Sequence, residues 1–176
     1  GPKVSGALLQ LVNQTKWNNL DYLIVDMPPG TGDIQLTLAQ RVPVTGSVVV
    51  TTPQDIALLD CKKGIEMFRK VNIPVFGVIE NMSVHICSHC GSHEPVFGEG
   101  GGSRIASEYE TDVLGEMPLH KTIREQTDSG RPTVVAEPDS EVALLYRDIA
   151  RKVAARLSQQ AEDPRHAFPN IVVSSD

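Results

Sequence analysis

Two short stretches carry residues whose types and spacing could do chemistry. In the first, Cys87-Ser88-His89-Cys90-Gly91, two thiols are separated by two residues. Such a pair can bind one metal together, and the glycine permits the positive φ that lets nearby amides hydrogen-bond to thiolate sulfur. The pair supplies half the ligands of a four-cysteine site. The third cysteine, Cys61, shares a helical stripe with Leu58, Ile65 and Phe68 and reads as a core thiol. A four-thiolate centre would therefore sit across a two-fold axis between two copies of the chain. Three other readings compete. Zinc could use Cys87 and Cys90 with two of His85, His89 and His93 in one chain. A thioredoxin-like redox pair fits less well, because the motif does not open a helix after the first strand of such a fold. Two ordinary loop cysteines are the plain alternative.

The second stretch is Asp26-Met27-Pro28-Pro29-Gly30-Thr31-Gly32-Asp33, which follows the apolar run Tyr22-Leu23-Ile24-Val25. A short apolar run closed by Pro and Gly reads as a buried parallel strand feeding a loop. Ligands of open α/β sheets bind outside the carboxyl ends of the strands, where Asp26 lies. A carboxylate for a hydrated Mg²⁺, glycines that let amides approach a phosphate, and a helix starting at Asp33 make the metal side of a nucleotide site. The alternative is that Asp26 merely ends a strand and caps a turn.

These residues need elements to position them, and the apolar pattern supplies candidates. Val4, Ala7, Leu8, Leu11 and Val12 form one helical face ahead of the Tyr22 strand. Residues 34–40 form a short helix ended by Val42-Pro43. Ser47 to Thr51 is a second strand, leading to the polar loop Thr51-Thr52-Pro53-Gln54-Asp55. A helix from about Ile56 to Val71 follows, then strands at Val75 to Glu80 and Val113 to Met117. Val142, Leu145, Tyr146, Ile149, Val153 and Leu157 mark a final long helix starting near Asp139 or Ser140. Strands alternating with helices predict an α/β fold with a doubly wound, mostly parallel sheet. The glycine cluster Gly98 to Gly102 reads as a flexible loop, and His120 as a loop histidine with no visible partner.

At 176 residues the chain suits one domain. A net charge of -6 and a pI near 5.3 argue against a nucleic-acid partner. No apolar run reaches membrane-span length and the start has no signal-peptide layout, so a cytoplasmic domain without membrane attachment is expected. Three cysteines at uneven spacing are no disulfide framework.

The run LDYLIVDMPPGTGDIQLTL (Leu20 to Leu38) resembles the Mrp/ApbC family of P-loop ATPases, relatives of the MinD and nitrogenase iron protein group. The resemblance continues through VVVTTPQDIALLDCKKGIEMF (Val48 to Phe68), GVIENMSVHICSHCG (Gly77 to Gly91) and MPLHKTIREQTDSGRP (Met117 to Pro132), and covers most of the chain to about Leu157. It implies ATP-dependent binding of iron-sulfur clusters and their delivery to apo-proteins. It further implies a homodimer, a [4Fe-4S] cluster bridged by Cys87 and Cys90 of two subunits, and an assembly scaffold as partner. Asp26 would be the catalytic acid that orients Mg²⁺ through water. Gly30, Thr31, Gly32 and Asp33 would be the switch that senses the γ-phosphate of ATP, and Asn81 would read the adenine edge with its amide, with Pro118-Leu119 flanking the base.

One family feature is missing: the sequence contains no G-x-x-x-x-G-K-[ST]. Residues 1–157 are accordingly expected to be the C-terminal part of a single P-loop ATPase domain, and 158–176 a polar tail. The sheet would be incomplete, because the family's phosphate-loop strand lies between the Tyr22 and Ser47 strands; a rearranged sheet, intermolecular pairing or a separate chain would then satisfy the open edges. Alone, this chain should bind ATP poorly and hydrolyse it negligibly. Two other functions compete: a MinD/ParA-like positioning ATPase without a cluster, which the cysteine pair disfavours, and a zinc-stabilised interaction module.

Overall fold

β-Branched runs make the sheet, and amphipathic runs cover it. The computed structural model describes residues 2–161 apart from 28, 29, 31, 43 and 88. Two helices, α1 (Pro2–Gln14) and α2 (Asp33–Arg41), pack on each other. Then come β1 (Ser47–Thr51), α3 (Asp55–Lys70), β2 (Val75–Ile86), the two-residue β3 (His93–Glu94), α4 (Gly101–Glu108) and β4 (Val113–Leu119). Three helices close the described chain: α5 (Lys121–Asp128), α6 (Thr133–Ala136) and α7 (Glu141–Ala161). Residues 162–176, most of the expected tail, lie outside the described residues.

β2 is the central strand. It pairs in parallel with β1 on one side and with β4 on the other. Parallel neighbours need crossover connections, which α3 and α4 provide. Both crossovers step across the sheet in the same direction, so both helices land on one face. There Leu58, Cys61 and Ile65 of α3 and Ile105 of α4 bury Val49 and Val78, with Phe68 and Tyr109 at the margin. Ile65 and Val78 are fully buried, each stabilising the fold by roughly 1.5–3 kcal/mol. On the opposite face α7 packs Val142, Ile149 and Val153 against Val48, Ile79, Leu114 and Met117. Gly115 makes that approach possible: a Cβ there would lie 2.5 Å from Ile149 Cγ1. Helices on both faces of a largely parallel sheet are the predicted architecture.

Local chemistry sets the boundaries. Asp55 opens α3, and Arg69 and Lys70 close it, each matched to the helix dipole. Asn72, at φ 56, then turns the chain into β2 while Ile73 N–H donates to Phe68 O at 2.9 Å. Ser140 caps α7, its Oγ accepting Ala143 N–H at 3.2 Å.

Three expectations are corrected. Tyr22 to Val25 do not form a strand; Tyr22, Leu23 and Ile24 are 60%, 41% and 85% exposed. A strand persists only where its backbone groups are paired, and none of the sheet's pairings involves this run or the outer edge of β1. The Gly98–Gly102 cluster is not simply a flexible loop, because Gly101 and Gly102 are buried in the first turn of α4. β2 runs six residues beyond Glu80, to Ile86, so the cysteine motif follows the end of a long strand.

Candidate functional site

The carboxyl ends of the parallel strands converge at one edge of the sheet. Thr51 ends β1 opposite Glu80, and Asn81 lies opposite Met117 of β4. β2 runs on past β1, while β4 stays beside it as far as Leu119, opposite His85. At Met82, φ 56, the register with β4 breaks, and Ser83 Oγ donates to Met117 O at 3.2 Å across the irregularity. Asn81 Oδ1 accepts Met82 N–H at 3.0 Å, so the amide expected to read a base also fixes the start of this departure.

Beyond the bulge, β2 and β3 form an antiparallel hairpin, with His85 opposite Glu94 and Ile86 opposite His93. Its tip carries the thiols. Cys87 N–H donates to Ser92 O at 3.0 Å, and Gly91 N–H donates to Cys87 O at 2.8 Å with Gly91 at φ 70, the conformation expected of that glycine. Cys87 is half-buried and Cys90 exposed. The Cys90 thiol donates to Ser92 Oγ at 3.2 Å. Once ionised, the sulfur accepts from the Ser92 hydroxyl instead, and this bond, then the Ser92 backbone and the Cys87 side chain, lowers the Cys90 pKa from its ordinary value and favours the metal-binding thiolate.

The histidines do not join the cysteines. His85 Nδ1 lies 3.9 Å from Glu94 Oε2, and no group of three or more His, Cys, Asp or Glu residues placed to hold a metal occurs among the described residues. The one-chain zinc site of two thiolates and two imidazoles is therefore not assembled. Strand pairing commits His85 and His93 to the hairpin stem. Cys61 is buried in the core, as expected, and desolvation pushes its thiol up to about 11 against the opposing effect of the Thr51 side chain. His120 does have a partner: its Nδ1 accepts Thr122 N–H at 3.3 Å and caps α5.

The Asp26 loop lies at the mouth of α2. Asp26 is exposed and makes no ion pair among the described residues. Gly30 takes φ 98, and a Cβ on Gly32 would stand 3.4 Å from Oε1 of buried Gln35, whose side chain lies beneath the loop. Leu36 N–H donates to Gly32 O at 3.2 Å, and the helix starts at Asp33 as expected. Thr31 lies outside the described residues, as does the side chain of Asp33. No hydrogen bond or ion pair among the described residues joins this loop to Asn81.

Sequence reasoning missed Gln35 and Glu80. Glu80 is 3% exposed, and its Oε2 accepts the N–H of Gly102 at the start of α4. The one signal was an acid directly after the apolar run Val75 to Ile79.

A family model described as ParA, the NUBPL iron-transfer P-loop NTPase, matches residues 1–154. The chain belongs to that family. It is 68% identical over 150 residues to the iron-sulfur cluster carrier protein of Pseudomonas fragi, covering 85% of this chain and 52% of that protein. The carrier protein of Escherichia coli K12 is 62% identical over 162 residues, covering 92% of this chain and 44% of that one. The mouse iron-sulfur cluster transfer protein NUBPL is 49% identical over 162 residues, covering 92% and 51%. The chain thus spans about half the length of these curated relatives. Among solved structures, a nucleotide-binding protein of Archaeoglobus fulgidus in complex with ADP superposes with a TM-score of 0.68 at 34% identity, over 79% of this chain and 56% of that one. The cell-division ATPase MinD of Pyrococcus furiosus, at 20% identity and TM-score 0.59 over 87% and 57%, shares the fold. The family assignment agrees with the resemblance read from the sequence.

Proposed function

We propose that this chain forms the cluster-holding and base-reading part of an ATP-dependent iron-sulfur cluster carrier that delivers its cargo to apo-proteins. One observation carries the reading: Cys87 and Cys90 stand at an accessible hairpin tip with their turn already formed, and no third ligand stands with them among the described residues. Two thiolates per chain fit a four-thiolate cluster shared by two copies across a two-fold axis. A homodimer bridged by a [4Fe-4S] cluster follows, with zinc a competitor for the same thiolates when iron and sulfide are scarce. The names of the curated relatives, cluster carrier and cluster transfer proteins, support the cargo.

On the nucleotide side, the exposed Asp26 carboxylate suits a hydrated Mg²⁺ held through water, a metal that would neutralise phosphate charge. Gly30, Thr31, Gly32 and Asp33 form the proposed phosphate-sensing switch, seated on Gln35, and Asn81 reads the base. The phosphate-gripping lysine is absent from these residues, so in this proposal it comes from another part of the family's domain. By itself this chain neither binds ATP tightly nor hydrolyses it. The role of ATP is coupling: nucleotide state governs how tightly the thiols hold their cargo.

The test is anaerobic reconstitution with iron and sulfide of the wild-type chain and of a Cys87→Ala/Cys90→Ala variant, followed by iron, sulfide and zinc analysis with a mass measurement. About four irons per dimer, lost in the variant, supports the carrier. Zinc on a monomer with no chromophore under any condition overturns it.

A further inference from the structure

Resting on that reading, we infer that Glu80 is a positioning residue: it clasps the base of the cysteine-bearing excursion and ties cargo retention to the strand end that faces the nucleotide. The chain leaves register with β4 at the Met82 bulge, meets it once more at His85–Leu119, runs out through the β2–β3 hairpin and the two thiols, and returns at α4. Glu80 stands just before that departure and Gly102 just after the return, and the buried Glu80 carboxylate accepts the Gly102 N–H.

The fit at this joint is close. A Cβ on Gly102 would lie 3.1 Å from Glu80 Cβ and 3.2 Å from Oε2, and one on Gly101 would lie 2.8 Å from Pro53 Cα in the loop after β1. Helix α4 has no acidic residue in its first turn and no side-chain cap, its N-cap being Gly100. One of its first-turn N–H groups, that of Gly102, and its positive dipole end are met by Glu80, a strand away. A buried carboxylate is costly without such partners, which makes the joint a defined closed state. In the sheet, Glu80 lies opposite the exposed Glu116 of β4.

The next residue supplies the link to nucleotide. Asn81 Oδ1 holds Met82 N–H, and Met82 sits at φ 56 as the first residue of the excursion. A base edge drawn to the Asn81 amide competes for the group that fixes this bulge, one peptide unit from the clasp. Loosening the clasp changes the freedom of the hairpin while leaving both sulfur ligands in place.

The experiment uses Glu80→Gln, which keeps length and one acceptor, Glu80→Ala, and Gly102→Ala, whose methyl displaces the carboxylate. Each is reconstituted anaerobically, and iron release to a ferrous chelator is timed beside the visible spectrum and Gly102 amide exchange. We expect Glu80→Gln to speed release several-fold and Glu80→Ala and Gly102→Ala more than tenfold, with the iron-to-sulfide ratio and spectrum of wild type. The Glu80→Ala/Gly102→Ala double variant should be no faster than either single, since both remove one contact. Unchanged release with accelerated Gly102 exchange would overturn the inference, because the clasp would then be structural only. If even wild type takes up no iron and sulfide, the cluster reading fails separately. The clasp is then judged by Cys87 and Cys90 alkylation, which must quicken several-fold in Glu80→Gln; equal rates overturn it. Should Glu80→Ala not fold, Glu80→Gln and Gly102→Ala decide alone.

Discussion

The three thiols should differ sharply in reactivity, and the structure sets the scale. Alkylation by iodoacetamide proceeds through the thiolate. Cys61 is 5% exposed between α3 and the sheet, and burial moves its pKa from 9.0 to about 11. At about pH 7.5 a thiol with the ordinary value of 9 is roughly 3% ionised, whereas one at 11 is roughly 0.03% ionised. The hundredfold deficit is a minimum, because the reagent must also reach a side chain packed among Leu58, Ile65 and Val78. Cys90 is exposed, and its pKa is lowered by the Ser92 hydroxyl. Timed alkylation of the native apo-protein, read by peptide mass spectrometry, should therefore label Cys90 at least about 100-fold faster than Cys61. In denaturant the two rates should converge. Native labelling of Cys61 within tenfold of Cys90 would refute both the burial of this α3 face and the assignment of Cys61 to the core. The same shift makes Cys61 favour the fold below pH 9; that contribution is lost as pH rises from 9 toward 11, where the unfolded thiol ionises and the folded one does not.

Two stability predictions test the layers on either face of the sheet. Ile65→Ala, which truncates a fully buried side chain, should cost about 2–5 kcal/mol, measured by urea unfolding. Gly115→Ala should cost about 1–3 kcal/mol, since its methyl would meet Ile149 at 2.5 Å and 2.7 Å; Ile149→Val beside it should recover part of that loss, and a neutral Gly115→Ala would argue against this close approach of α7 to β4.

The sequence was legible where one physical signal dominated. β1, β4, α3 and α7 follow from apolar runs and stripes, and the structure places them within a few residues of expectation. β2 was read correctly to Glu80 and then cut short, because its last six residues alternate weakly and are held by a hairpin partner of two residues. α5 has no buried residue and hence no stripe to find. The start of α4 was hidden because glycines signal loops locally, whereas here their missing side chains admit Pro53 and Glu80, neighbours distant in sequence. Tyr22 to Val25 failed the opposite way: local apolarity predicts a strand, but pairing decides whether one exists. At the candidate site, the thiol turn and the Asp33 helix start could be read locally. Gln35 beneath the Asp26 loop and the Glu80 clasp could not, since each depends on contacts made only in the folded chain.

How the two proposed sites could communicate is constrained by distance. The run from Asn81 to Cys87 spans at most about 20 Å when extended. Exposed charges that far apart are largely screened at physiological ionic strength, where the Debye length is about 8 Å. At that full extension, direct coupling between exposed charges at the two ends of the run would be small. A mechanical route is shorter, because β2 itself connects the sites and one of its register breaks, at Met82, lies beside Asn81 at one end of the excursion. Two positions can then hold or release the hairpin as a unit: the bulge, fixed by the Asn81 amide, and the base, fixed by Glu80. The thiols need no rearrangement of their own turn, which Gly91 and the Cys87–Ser92 hydrogen bond already hold closed.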